Sequence, residues 1–532
     1  MLERDNIENI NNNNNNYNNN YNNNYNNNYS SNNSRTRKIH MPQESMKDLA
    51  SFGGVDKSKF TLLDKIINDY GYGWEVNKII FSAFLCFILN GYLTTSYCSF
   101  MLGFKKKFDL TTNQISFIGM GFCLSKFVTN FLIGFLTNLL GRMFVLKFSL
   151  IFTFFSNLLI SLFCEYEIIV IVEFINGFFA GIFEITSFNV ACEFIPVRFR
   201  GWILLTIWNG YNVGVLFPNL IMTKTMPEHD PSGLPKTLYL CSLVILLCTI
   251  FGCVFYTDSP RNYIINGKNE DAIKILKKMK KNDEYFTDEI KKEIFESVPP
   301  KTISDFSLAN YKEVFAHGMF STGLLLLIIC FNGTMINDGF QLVLNLILEK
   351  VKQSDKSAHT RTILMENIII NSVALPSNLI IGAFTEFKIL GRKNTQAIGF
   401  FIMGAVIIPV IINPNLASTF FIFFMFFTCI TNMVNVYVSE VYPTKIRDWA
   451  LGMIQGSGYL GSFIAQYLFV YLNDLNVYYC PILFFATCTL NGILCSLLKV
   501  EPMGKPLDIH TRNDSILNKE KSPNSIEMPL YT

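Results

Sequence analysis

The sequence predicts an all-α integral membrane protein of twelve transmembrane helices arranged as two six-helix pseudo-repeats. Three observations carry this reading. There are about twelve apolar blocks long enough to cross a bilayer, charge is concentrated in the segments between them, and two short motifs recur at nearly one offset.

Apolar residues make up 50% of the 532 and charged residues only 16%, and the two kinds are segregated along the chain. A helix needs roughly 20 mostly apolar residues to cross a hydrocarbon core of about 30 Å. Blocks of that kind run over 79–102, 115–138, 144–164, 168–190, 202–223 and 237–256, then over 319–343, 364–387, 395–412, 416–439, 449–472 and 478–499. The expected organisation is a disordered Asn-rich tail (1–74), a first half (75–256), a linker (257–318), a second half (319–499) and a closing tail (500–532).

Residues 11–28 are nearly all Asn with interspersed Tyr, too poor in apolar surface to offset the entropy of folding. No apolar stretch precedes Ile79, so no cleavable signal is expected and the first helix directs insertion. In the linker, Ile273, Leu276 and Met279 repeat at helical spacing. They predict a short helix, either lying along the cytosolic face or simply solvated.

Lys and Arg cluster in alternate loops (Arg142 and Lys147, Arg198 and Arg200, Lys388 to Lys393, Lys445 and Arg447). By the positive-inside rule those loops, the linker and both tails are cytosolic. A multi-pass protein of the plasma membrane, ahead of an internal membrane, is the expectation, working as a monomer.

The formal charge of +3 is spread out and argues against nucleic acid as a partner. The thirteen Cys form no C-x-x-C pair and read as apolar packing residues, so no metal is expected. All five His fall outside the apolar blocks, which leaves carboxylates as the groups able to carry a coupling proton. Nothing points to a cofactor, and no G-x-S-x-G or H-E-x-x-H suggests an enzyme.

The repeat is the sharpest signal. Glu193-Phe-Ile-Pro196-Val-Arg-Phe-Arg200 and Glu440-Val-Tyr-Pro443-Thr-Lys-Ile-Arg447 share the pattern E-x-x-P-x-x-x-R, and positions 193 and 440 differ by 247. Gly141-Arg142 recurs as Gly391-Arg392, at a difference of 250. Two ordered motifs at one offset imply parallel six-helix repeats around a central cavity.

Over roughly residues 72–508 the chain resembles the major facilitator superfamily, in its sugar-porter and organic-ion-transporter branches. Gly134-Phe-Leu-Thr-Asn138-Leu-Leu-Gly141-Arg142 looks like the family's G-x-x-x-D-x-x-G-R loop, Asp258-Ser-Pro-Arg261 like its E-S-P-R, and Glu501-Pro-Met-Gly504 like its closing E-T-K-G. The resemblance implies that Arg and carboxylate pairs close the cytosolic mouth and break when it opens. The gate candidates are Gly141, Arg142, Glu193, Arg200, Glu386, Arg392, Glu440 and Arg447. Asn138 replaces the usual Asp, and Gly391 lies two residues later after Glu386 than expected, so the latch should lean on the second half and on the two E-x-x-P-x-x-x-R loops.

Ionisable groups at membrane depth are functional candidates, because burying them unpaired is costly. Glu173-Phe-Ile-Asn-Gly177 resembles the family's R-x-x-x-G with an acid in place of the base. Eleven residues on, Glu184 lies within about 20° of the same helical face, so both are expected to look into the cavity. Thr334, Asp338, Gln341 and Asn345 form a polar stripe in the seventh block, and Asn90 stands where many proton-coupled relatives keep an acid. The bland alternative for each is interhelical hydrogen bonding.

These residues imply a carrier of a small organic solute by alternating access. An organic ion or a vitamin-like molecule such as pantothenate is preferred and a sugar is the runner-up. Proton symport and facilitated diffusion both fit, and Glu173 or Glu184 would carry the proton. A non-transporting sensor that keeps the fold is the rival from another class.

Overall fold

A backbone in lipid must satisfy its own polar groups, and helices do this within one segment. Every long regular element among the described residues of the computed structural model is a helix. The described residues are 61–226, 231–280, 285–296, 310–316, 318–352, 365, 368–412, 417–476, 478–505 and 507. The Asn-rich stretch, all five histidines and the chain after 507 lie outside them.

The first half comprises α1 (Trp74–Phe108), α2 (Thr112–Leu140), α3 (Arg142–Leu162), α4 (Tyr166–Phe194), α5 (Arg200–Thr225) and α6 (Leu234–Phe255). The second comprises α7 (Phe320–Lys352), α8 (Ala374–Phe384), α9 (Gly391–Ile412), α10, α11 (Arg447–Leu475) and α12 (Tyr479–Ser496). α10 is broken at Thr428 into Ala417–Phe427 and Cys429–Val441. Among the described residues nine helical spans are both long and apolar enough to cross a membrane. α5 and α11 are long but more polar, and α8 is short.

The α3 surface shows why lipid is the solvent. Phe144, Phe148, Phe152 and Phe155 are all exposed, the first three following each other with ring centroids 5.8 and 4.2 Å apart. In water so large an apolar stripe would need a partner.

The halves meet through α2 against α11 and α5 against α8. Close approach of α2 and α11 needs Gly452, where an added Cβ would fall 2.4 Å from the Asn130 carbonyl oxygen and 2.4 Å from Ile133 Cγ2. The two G-R motifs have a backbone cause. Gly141 (φ 88°) and Gly391 (φ 60°) both sit in the left-handed region that favours glycine, and each places its Arg in the first turn of the next helix.

On that same side of the molecule, hereafter the linker side, a second small core forms. The linker helix Asn269–Lys280 buries Ala272, Ile273, Leu276 and Met279 with Leu63, Ile66 and Ile67 of a helix over Leu62–Tyr70. The linker helix thus keeps its expected amphipathic face but turns it onto protein rather than lipid or water. Helix Leu62–Tyr70 lies inside the stretch expected to be a tail, and a Thr61–Asp64 capping box starts it. Asp64 forms a buried ion pair with Arg261 of the Asp-Ser-Pro-Arg segment.

Candidate functional site

Among the described residues, charge is buried on the linker side and again deeper, where the halves meet. Glu193, at the end of α4, accepts from Arg142 Nη1 at 3.0 Å and from Arg447 Nη1 at 3.0 Å, and its other oxygen accepts from Ser259. Arg142 Nε also reaches Asp448 Oδ2 at 2.7 Å, while Asn189 Nδ2 donates to Asp448 Oδ1 at 2.5 Å. Arg142, Asn189 and Glu193 belong to the first half and Arg447 and Asp448 to the second. The cluster therefore clips the halves together, and the side chains are almost fully buried.

The second half repeats part of this. Arg392 Nε pairs with Glu440 at 3.0 Å and Nη2 with Glu386 at 3.1 Å. Glu386 also accepts from the backbone N–H of Trp202 at 3.1 Å, again across the halves. Both E-x-x-P-x-x-x-R loops fold alike: Arg200 donates to the carbonyl of Ile195 and Arg447 to that of Tyr442, the residue before proline in each copy. The closing Glu501 accepts from the backbone N–H groups of Arg392 and Lys393, both at 2.9 Å, and so caps the start of α9.

Both E-x-x-P-x-x-x-R loops take part in these pairs, as the sequence suggests, and Arg142 takes part with them despite the neutral Asn138. Asp448, next to Arg447, supplies the carboxylate that Asn138 does not. The late Gly391 does not separate its partners either, because the turn over 385–390 brings Glu386 back to Arg392.

Outside the membrane-spanning segments, burial pushes the Asp258 carboxyl up to about 6, against the opposing pull of Arg142 and the Asn262 hydrogen bond.

The second cluster lies deeper. Lys126 of α2 is fully buried. Its ammonium lies 2.9 Å from Glu184 Oε2 and donates to Asn90 Oδ1 at 2.6 Å, and it sits 4.2 Å from the centroid of the Tyr459 ring. The Tyr459 hydroxyl in turn donates to Glu184 Oε2 at 3.0 Å, from α11 to α4.

Tyr459 is also wall to a small cavity between the halves. Thr94, Trp208 and Tyr211 line it from α1 and α5, and Thr334, Asp338, Asn435 and Gln455 from α7, α10 and α11. Its water-accessible volume is about 30 Å³, enough for a water or so and far below a solute pocket of roughly 300 Å³ or more. Asp338 accepts from Ser462 Oγ at 2.6 Å and from Asn337 Nδ2 at 3.1 Å. Among the described residues no cationic side chain makes an ion pair with it.

The candidates therefore separate. Thr334 and Asp338 line the cavity. Glu184 and Asn90 stand behind its wall, joined by Lys126. Gln341 instead donates to Asn371 at 2.8 Å, and the side chain of Asn345 lies outside the described residues. Glu173 does not reach the cavity: one oxygen accepts from Ser96 of α1 at 3.3 Å and the other has no hydrogen-bond partner. The expected common outlook of Glu173 and Glu184 fails because the site uses neighbours of α4 on two different helices. Sequence reasoning missed Lys126 and Asp448, although a lysine inside an apolar block is the kind of signal applied to the acids.

The family model described as Sugar (and other) transporter matches residues 15–512. Synaptic vesicle 2-related protein of Xenopus laevis is 23% identical over 419 residues, covering 74% of this chain and 71% of that protein. Organic cation/carnitine transporter 4 of Arabidopsis thaliana is 24% identical over 371 residues, covering 64% and 62%. A putative inorganic phosphate transporter of Schizosaccharomyces pombe is 29% identical over 338 residues, covering 58% and 54%. The solved structure of the proton:xylose symporter XylE bound to 6-bromo-6-deoxy-D-glucose aligns with a TM-score of 0.67 at 18% identity, over 82% of this chain and 98% of that one. That likeness bears out the fold alone.

Proposed function

The chain belongs to the Sugar (and other) transporter family of the major facilitator superfamily, a transporter of small solutes and not an enzyme, and we propose that its solute is a small organic cation moved by alternating access. The observation that carries this is Asp338, a carboxylate in the cavity wall without a cationic partner among the described residues. Lys126 and Glu184 cancel each other behind the wall, so the site holds one uncompensated negative charge. Trp208, Tyr211 and Tyr459 in the same wall add aromatic rings, a side-chain type that attracts cations. An acid such as pantothenate would be repelled by Asp338. A sugar is the second reading, favoured by the amides of Asn337, Asn432, Asn435 and Gln455 along the same wall.

Alternation is supported by the linker-side cluster, whose pairs span the halves and must part for that mouth to open. The small cavity fits a state closed on that side, which a solute would widen. Loop basicity supports placing the linker side in the cytosol, and a monomer in the plasma membrane remains our reading. Proton symport belongs to the same proposal, with Glu173 as the carrier, since it lacks an ion-pair partner where Glu184 has Lys126.

The test is uptake into vesicles holding the purified protein, using panels of organic cations, organic anions and sugars. Asp338→Asn should weaken apparent cation affinity by about 10- to 150-fold, the equivalent of a charge-assisted contact of about 1.5–3 kcal/mol. Uptake of sugars alone, indifferent to Asp338→Asn, would move the assignment to the second reading.

A further inference from the structure

Lys126 is fully buried, and burial of an ammonium is tolerated only where its donors find partners. An ammonium has three N–H donors, and three acceptors surround it: Glu184 at 2.9 Å, Asn90 at 2.6 Å and the Tyr459 ring face at 4.2 Å. No water or solute is required to satisfy it. Glu184 is equally engaged, by the ammonium and by the Tyr459 hydroxyl. Both act electrostatically on Asp338, with opposite sign.

We infer that Lys126 is a resident counter-ion that fixes the charge of the solute site at one net negative, reserving Asp338 as the carboxylate that a solute can neutralise. This rests on the cation reading for the sign of the solute, but the charge-setting role stands on the Lys126, Glu184 and Asp338 geometry itself. Removing Glu184's charge leaves Lys126 to balance Asp338, and the site becomes neutral. Removing Lys126's charge leaves two carboxylates. Removing both restores one net negative charge and leaves no newly unpaired ion, so the double substitution is the informative one. Replacing a buried pair as a unit is often tolerated where breaking it is not.

The experiment uses the full-length purified protein in detergent, with quenching of tryptophan fluorescence as the binding signal because Trp208 is in the cavity wall. The probes are choline, its uncharged tert-butyl isostere and the carboxylate of the same shape, which differ in charge at nearly constant size. In Glu184→Gln the preference for choline over the neutral isostere should fall about tenfold relative to the parent, and in Lys126→Met it should rise. In Lys126→Met/Glu184→Gln it should return to the parent ratio, although binding overall is weaker. Where a single variant elutes aggregated, the double variant alone decides: an unchanged ratio upholds the inference and a changed one overturns it. Identical ratios in the parent and both single variants would overturn it as well. A parent protein that prefers the neutral isostere, with variants that still shift in opposite directions, would sink the cation reading and leave the charge-setting role standing, whereas a parent that prefers the carboxylate would overturn both.

Discussion

Gly452→Ala perturbs the contact between the halves with a single methyl group. The added Cβ would sit 2.4 Å from the backbone carbonyl oxygen of Asn130 and 2.4 Å from Ile133 Cγ2. A side chain could swing aside, but a helix carbonyl cannot, so α2 and α11 must separate. Overpacking of this kind costs about 1–3 kcal/mol. If the linker-side mouth opens by parting these helices, that cost falls on the closed state alone, and the open population should rise about 5- to 150-fold. The control is Gly456→Ala, one turn further along the same helix, where the nearest atom would be 3.6 Å away, an ordinary contact. Both substitutions carry the same gain in helix propensity, so that effect cancels. Hydrogen-exchange mass spectrometry of the linker-side ends of α2 and α11 reads the outcome. Exchange should quicken in Gly452→Ala and stay at the parent rate in Gly456→Ala. Equal behaviour of the two variants would refute the reasoning that this seam is the moving surface.

Other expectations use the same frame. Arg447→Glu removes the inter-half contact to Glu193 and sets two acids together, so it should abolish transport with normal membrane insertion. Arg200→Glu, which loses a bond to its own loop carbonyl, should impair transport less, and equal loss in both would argue against the inter-half latch. Glu173→Gln should lose accumulation driven by a pH gradient while keeping solute exchange, as measured in preloaded vesicles, and a parental pH dependence would make Glu173 structural. Asp258 titrates near 6 in the folded protein and near 3.8 when unperturbed. The folded state thus binds the proton more tightly, and this group's contribution to stability is lost as pH rises from about 4 to above 6. Asp258→Asn should flatten the dependence of Tm on pH over that window, and an unaltered curve would remove burial as the cause.

Helix number and the two-fold repeat are legible in the sequence because lipid imposes them. A spanning segment must be long and apolar, and a G-R turn must place glycine at positive φ in both copies. The chemistry was legible only in part. Lys126 and Glu184 lie 58 positions apart on α2 and α4, and their pairing depends on how those helices pack, which no periodicity encodes. Glu193 and Arg447 carry matching motifs, yet the motif does not say that the acid of one half binds the base of the other. Asp448 was hidden beside Arg447, where a loop charge reads as topology. Helix Leu62–Tyr70 escaped because nine residues make a weak signal beside an Asn-rich tract. What stabilises it is a buried Asp64–Arg261 pair and an apolar face borrowed from the linker.

Counterflow in proteoliposomes tests the central claim, that this chain is an alternating carrier and not a sensor with a carrier's fold. Vesicles are preloaded with a high concentration of an unlabelled organic cation and diluted into a low concentration of the labelled one, so that the outward gradient of unlabelled solute is the only driving force for entry of label. An alternating carrier predicts transient accumulation of label above the outside concentration, saturable with solute and reduced by Asp338→Asn. Label that never exceeds its level in protein-free vesicles, for every solute class tried, would contradict the account.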